Sequence, residues 1–335
     1  MQRPFPALTR LHLMVQLEGG TAPVIPVSFL GGSAPALQTL NLDSIPFPEL
    51  GKLLLTTPHL VHLELWDIPH SGYISPEAMV TGLSAMTRLE NLEFEFESPQ
   101  SRPDRNTRRP PPQTRFLLPV LARFRFSGVS EYLEDFVAWF DAPLLRKLEI
   151  TFFYQIIYDT PQLTQFIGRI PKFKTHDEAR VLFSDGVVWI TIPRTFDEML
   201  RLRILCRKTD WLLSSLAQVC STSVPLFPAL EHLYILENGS WDRQDNIEDG
   251  QWLELLQTFA AVKDFHIASK FIPLIAPSLQ ELVGERLTEV LPALDTLFLG
   301  EPLPSEPVLE CIWKFVAARE LAGHPLSVFR WDGRV

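Results

Sequence analysis

Glycine is scarce in this chain, 16 in 335 residues, below the usual ~7%. That excludes a collagen-like or glycine-rich low-complexity protein. Cysteine is scarcer still, with only Cys206, Cys220 and Cys311. Three widely spaced thiols, odd in number, fit a reducing compartment better than a disulfide framework, so a cytoplasmic or nuclear location is expected. Positive charge is also short: 30 Lys and Arg stand against 40 Asp and Glu, a net charge of −10. A dedicated nucleic-acid binder needs a basic face to displace phosphate counterions, so no nucleic-acid partner is expected. No apolar run approaches the ~20 residues that cross a bilayer, and no membrane partner is expected. The start, Met1-Gln2-Arg3-Pro4-Phe5-Pro6, has no contiguous apolar stretch of the secretory kind.

The chain is 46% apolar and 21% charged, ample for a core. It is also rich in proline, with 29 residues, about 9%, against a usual ~5%. The prolines have a place in an internal repeat. The pattern apolar-x-x-apolar-x-apolar recurs at Leu8-Leu11-Leu13, Leu37-Leu40-Leu42, Leu60-Leu63-Leu65, Leu89-Leu92-Phe94, Leu121-Phe124-Phe126 and Leu145-Leu148-Ile150. It returns at Leu230-Leu233-Ile235, Val262-Phe265-Ile267 and Leu294-Leu297-Leu299. First positions are spaced by 29, 23, 29, 32 and 24 residues, then 85, then 32 and 32. Two residues before the first position stand Pro6, Pro35, Pro58, Pro119, Pro143, Pro228 and Pro292, seven of nine units. Proline donates no backbone hydrogen bond and disfavours helix in the residue before it. It therefore reads as a stop that ends one helix and feeds the chain into the next strand.

Amphipathic helical patterns lie between the strands: Leu163-Phe166-Ile167-Ile170, Leu213-Leu216-Ala217-Cys220, Trp252-Leu255-Leu256-Phe259 and Leu309-Ile312-Trp313-Val316. Thr160-Pro161 and Ser75-Pro76 have the form of an N-cap followed by proline at the first helical position. A strand–loop–helix unit cannot bury its apolar face alone, but stacked copies share one core. The predicted fold is α/β, a curved solenoid with a parallel β-sheet on the concave side and helices on the convex side. It is expected to run as one domain over 1–335. In the 85-residue gap, strands flank Ser184-Asp185-Gly186, read as a β-hairpin elaboration near 178–206 among two degenerate repeats. A helix and last strand over 305–335 read as the C-terminal cap. Residues 99–115 carry five arginines, one acid and five prolines, with no apolar periodicity, and are expected to form a flexible basic loop.

The pattern resembles leucine-rich repeats. The strings at 210–220, Leu230-Glu231-His232-Leu233-Tyr234-Ile235, 251–256 and 282–294 are similar to the repeat region of fungal F-box-type proteins. The resemblance implies a protein–protein interaction module, the substrate-recognition part of a cullin–RING ubiquitin-ligase receptor whose N-terminal F-box docks the ligase. The first repeat begins at Phe5, which leaves no room for an F-box. A cullin–RING partner is therefore expected only through a region this chain lacks, and an apolar edge is expected at Leu8, Leu11 and Leu13. The usual consensus asparagine is replaced by Gln16, Ile45 and Ile68, which implies irregular curvature. The alternative is a structural or sensory repeat domain of a larger receptor unrelated to ubiquitin.

Strand alternation turns one set of residues to the concave face. Candidate partner-binding residues there are His12, Asn41, Glu64, Trp66, Glu93, Arg125, Glu149, Tyr234, His266 and Phe298. The bland reading is a solvated sheet face; the aromatics favour an interface. His59 and His62 have ligand-like spacing but face different sides with no third ligand nearby, so no metal is expected. The acidic pairs Asp197-Glu198 and Glu248-Asp249 read as helix-start or loop charges. No cofactor motif and no nucleophile–base set is present, and an enzyme is the least favoured class.

Overall fold

Eight of the nine repeats open with the same turn among the described residues, and in six of them proline is its second residue. In the computed structural model the first repeat apolar residue donates its N–H to the carbonyl three residues back: Leu37 to Ala34 at 3.0 Å, Leu60 to Thr57 at 3.2 Å, Leu121 to Leu118 at 3.4 Å, Leu145 to Ala142 at 3.2 Å, Leu294 to Leu291 at 3.1 Å. Leu8, Leu89 and Val262 make the same bond. A fixed φ near −65° suits proline to that position of a β-turn. The proline is thus more than a helix stop: it sets the turn that drops each leucine into the core. Pro228 lies outside the described residues, which are 5–15, 23–26, 28–103, 112, 114–153, 155, 158–175, 177–184, 186–195, 198–205, 212–223, 229–237, 249–282 and 284–333.

A second stitch follows the turn. One carbonyl receives two successive N–H groups of the next repeat: Thr9 from Gln38 and Thr39, Gln38 from Val61 and His62, Val61 from Glu90 and Asn91, Glu90 from Ala122 and Arg123. Glu231 and Lys263 do the same later in the chain. This fixes the start of these parallel pairings, and with it which side chains face the core.

The chain divides into two compact units, Met1–Phe153 with Asp159–Lys174, and Tyr154–Tyr158 with Thr175–Val335. In the first, strands β1 (Arg10–Met14), β2 (Thr39–Asp43), β3 (His62–Ile68) and β4 (Asn91–Phe96) precede β5 (Phe116–Leu117), β6 (Arg123–Gly128), β7 (Phe140–Asp141) and β8 (Lys147–Phe153). The main sheet runs β1-β2-β3-β4-β6-β8, and every pair is parallel. β5 and β7 form a separate parallel pair. Helices α1 (Leu50–Leu54), α2 (Pro76–Leu83), α3 (Ser130–Val137) and α4 (Pro161–Arg169) each pack on the next in sequence. The repeat positions Leu37, Leu40, Leu60, Leu63, Leu89, Leu92, Leu121, Phe124, Leu145 and Leu148 are buried between sheet and helices. Rings fill much of this core: Phe94 meets Phe136 edge-on at 5.1 Å, and Phe140 meets Phe166 at 5.2 Å. At β1, Leu11 is buried, Leu8 and Leu13 are half-buried, and Phe5 and Met14 are exposed.

The second unit holds β9 (Glu178–Ser184), β10 (Val187–Thr195), β11 (Glu198–Leu205), β12 (His232–Glu237), β13 (Asp264–Ile267), β14 (Thr296–Gly300) and β15 (Ser327–Trp331). Its helices are α5 (Leu212–Ser223), α6 (Asp249–Gln257), α7 (Ile272–Gln280) and α8 (Glu306–Leu321). Strand order is β11-β10-β9-β12-β13-β14-β15. β9, β10 and β11 form an antiparallel meander, and β9 pairs in parallel with β12. Leu200, Leu202 and Ile204 lie on β11 and pair antiparallel with β10. Asp185 of the expected turn lies outside the described residues. α7 contains Pro277 and ends at Gln280, and a short 3-10 helix, Gly284–Thr288, follows. In the region read as the cap, α8 leads into β15 at one edge of this sheet.

Of the 99–115 segment, 104–111 and 113 lie outside the described residues, as do Cys206, Asp197 and Glu248. Cys220 is buried on α5; Cys311 is half-exposed on α8, with its thiol against the Pro307 carbonyl.

Candidate functional site

One face of each sheet carries the repeat leucines. Side chains of opposite parity point to the other, outward face. All ten candidate residues lie on outward-facing strand positions. His12, Trp66 and Arg125 are exposed; Glu64, Glu149, Tyr234 and Phe298 are half-buried; Asn41, Glu93 and His266 are sunk to under a tenth exposed. His266 among them is stacked between Tyr234 and Phe298.

In the first unit the outward face is a charged row. Cross-strand register sets Asn41 beside Glu64, Glu64 beside Glu93, Glu93 beside Arg125 and Arg125 beside Glu149. Asn41 Nδ2 donates to Glu64 Oε2 at 2.6 Å. Lys147 pairs with Glu149 at 2.6 Å. Burial, with the Glu64 charge beside it, raises the Glu93 carboxyl above the ordinary carboxylate range, against the pull of Arg125 and Arg123.

In the second unit the outward face is aromatic. One row is in register across seven strands: Arg201, Thr191, Arg180, Tyr234, His266, Phe298, Phe329. Tyr234 stacks on His266 at 4.1 Å, His266 on Phe298 at 4.0 Å, and Phe298 on Phe329 at 5.7 Å. The Arg180 guanidinium lies 5.9 Å over Tyr234. Trp331 closes on the row edge-first, 5.3 Å from His266. It stands opposite Gly300, where a Cβ would come within 2.7 Å of the Ser269 nitrogen; a side chain there would push β14 off the turn after β13. Beside the aromatic row, His232 pairs with Asp264 at 2.9 Å.

The sequence pattern identified Tyr234, His266 and Phe298 but missed Phe329, Trp331, Arg180 and Arg201. Their only signal is alternation within β9, β11 and β15. Among the described residues no group of three or more His, Cys, Asp and Glu is placed to hold a metal.

His266 makes the row sensitive to acid. Burial pushes its imidazole down to about 4, Asp264 opposing and His232 assisting; an unfolded histidine titrates near ~6.5. The neutral ring is therefore the stable one. Its contribution is complete above pH ~6.5 and is lost as pH falls through the window toward ~4. Unfolding free energy of the native protein should drop between pH 6.5 and 4.5 by about 1–3 kcal/mol more than that of His266→Phe, which keeps the stack and loses the titration. Parallel pH profiles for the two proteins would contradict the burial of a neutral imidazole.

No family model matches the chain, and no curated protein matches it. Among solved structures it is similar to the leucine-rich-repeat-containing protein LegL7 from Legionella pneumophila, at 11% identity, over 97% of this chain and 92% of that one, with a TM-score of 0.30.

Proposed function

We propose that this chain is a protein-interaction module of leucine-rich-repeat type that binds its partner on the outward strand face, anchored by the aromatic row of the second unit. The observation that carries the reading is that row. A sheet face left to water is normally polar. Here four rings run in register over adjacent strands, with Phe329 at 54% exposed. Aromatic and arginine side chains dominate binding energy at protein interfaces, and this face joins both. The similarity of the strings near 210–220, 230–235 and 251–256 to F-box-type repeats supports a narrower form, the target-recognition part of a ubiquitin-ligase receptor.

The test is affinity capture with the full chain, followed by binding measurements on the recovered partner. Phe329→Ser is expected to weaken binding by about 2 kcal/mol or more with an unchanged circular dichroism spectrum. Trp313→Ser, at an exposed position on α8, is expected to leave binding intact. A partner indifferent to Phe329 but lost in Trp313→Ser would move the interface to the helices. Co-capture of cullin-complex subunits together with a target would favour the narrower form.

A further inference from the structure

The aromatic row ends in charge on one side only. At β11, Arg201 is half-buried and Arg203 exposed. The Arg201 Nε reaches only the Thr191 hydroxyl, at 3.4 Å, and neither arginine has a carboxylate partner among the described residues. Among the described residues nearby, Arg180 pairs with Glu178, His232 with Asp264, Lys270 with Glu237 and Lys263 with Glu231. Arg203 also neighbours Trp189 across β10. Two cations without a carboxylate partner thus stand beside β10, with the half-buried ring of Phe298 and the exposed ring of Phe329 at the opposite end.

Resting on the protein-binding reading, we infer that the segment recognised here is an extended peptide with acidic residues at one end, for Arg201 and Arg203, and an aromatic residue about seven to nine positions away, for Phe298 and Phe329. The spacing follows from the sheet. β11 is five strand steps from β14 and six from β15. At about 4.8 Å per step the span is about 24–29 Å, and an extended chain rises about 3.3 Å per residue. Crossing the strands, the peptide would lie over Tyr234 and the edge of Trp331. Single-stranded nucleic acid also uses stacking rings and cations. It is disfavoured because the carboxylates of Glu178 and Asp264 lie in the next row and the chain carries a net −10.

The test uses the full chain and labelled synthetic peptides. The parent peptide has two aspartates and, eight positions on, a tryptophan. Its variants replace the aspartates by lysines, shorten the spacing to three, or replace the tryptophan by alanine; an oligothymidylate is run alongside. The parent is expected to bind about tenfold tighter than each peptide variant and the oligonucleotide, the size of two partly exposed ion pairs. The double variant Arg201→Glu with Arg203→Glu should reverse the order, preferring the lysine peptide. Thermal unfolding of that variant is measured to show that it is folded. A preference unmoved by the charge swap, equal binding at the short spacing, or tighter binding of the oligonucleotide would overturn the inference. If every peptide fails while a captured partner still depends on Phe329, the acidic-peptide inference falls and the protein-binding reading stands. If the captured partner ignores Phe329, the reading itself falls.

Discussion

Replacing Arg319 by methionine should cost the second unit about 3–4 kcal/mol, the largest single effect expected in this protein. Arg319 sits on α8 and is 1% exposed. Its Nη1 donates to the carbonyls of Leu287 at 3.0 Å and Leu291 at 3.4 Å, and its Nη2 to those of Pro292 at 3.5 Å and Leu294 at 3.0 Å. The guanidinium lies 5.9 Å from the Phe315 ring centre. Burial lowers its pKa, with Asp295 opposing. These carbonyls belong to the end of the Gly284–Thr288 3-10 helix and to the turn that opens the last leucine repeat. Helix ends leave carbonyls without partners, and a fork of planar donors is the one side chain that reaches several at once. Methionine fills the volume and leaves buried acceptors bare, a penalty of about 1–3 kcal/mol each where water cannot enter. Urea unfolding followed in the second unit measures it. Arg319→Lys should recover only part, because an ammonium cannot span the four oxygens. A loss under about 1 kcal/mol for methionine would mean that water replaces the guanidinium.

Glu134→Ala is the second large effect, expected at about 2–4 kcal/mol in the first unit. Glu134 is on α3 and is 1% exposed. Its Oε2 accepts from the Gln162 N–H at 2.9 Å and its Oε1 from the Leu163 N–H at 2.7 Å. Those are the second and third residues of α4, after Pro161, which has no N–H to satisfy. The expected cap, Thr160, makes no side-chain capping bond. The carboxylate of the preceding repeat thus caps the next helix, and its charge meets the positive end of the helix dipole. Glu134→Gln should cost less than alanine, since one donor still finds an oxygen. Faster hydrogen exchange at the Gln162 and Leu163 amides in Glu134→Ala is the local signature; unchanged exchange there would sink the capping role.

These two residues show where reading the sequence stops. Capping at Ser75 was legible, and its hydroxyl does accept from the Ala78 N–H at 3.3 Å. The partners are three residues apart, and local rules suffice. Glu134 and Gln162 are 28 residues apart, and Arg319 and Leu294 are 25 apart. Nothing in the intervening chain marks such a pair, because it exists only once adjacent repeats are stacked. A buried arginine on α8 looks, in sequence, like any charge on an amphipathic helix.

The binding face divides the same way. Tyr234, His266 and Phe298 share a position in successive repeats, so aligning the repeats put them side by side. Arg201 and Thr191 entered the same row through antiparallel pairing in the meander, which the repeat period does not describe. Phe329 entered through β15, whose strand lacks the proline turn that marks the others.

By itself the sequence determined the parallel strands, the core leucines and the place of the prolines, because these depend on alternation and turn chemistry within a few residues. Only the tertiary structure decided which charges were neutralised, which helix end was capped, and that four rings form one row. Those depend on register between strands, and register is set by bonds between residues far apart in the chain.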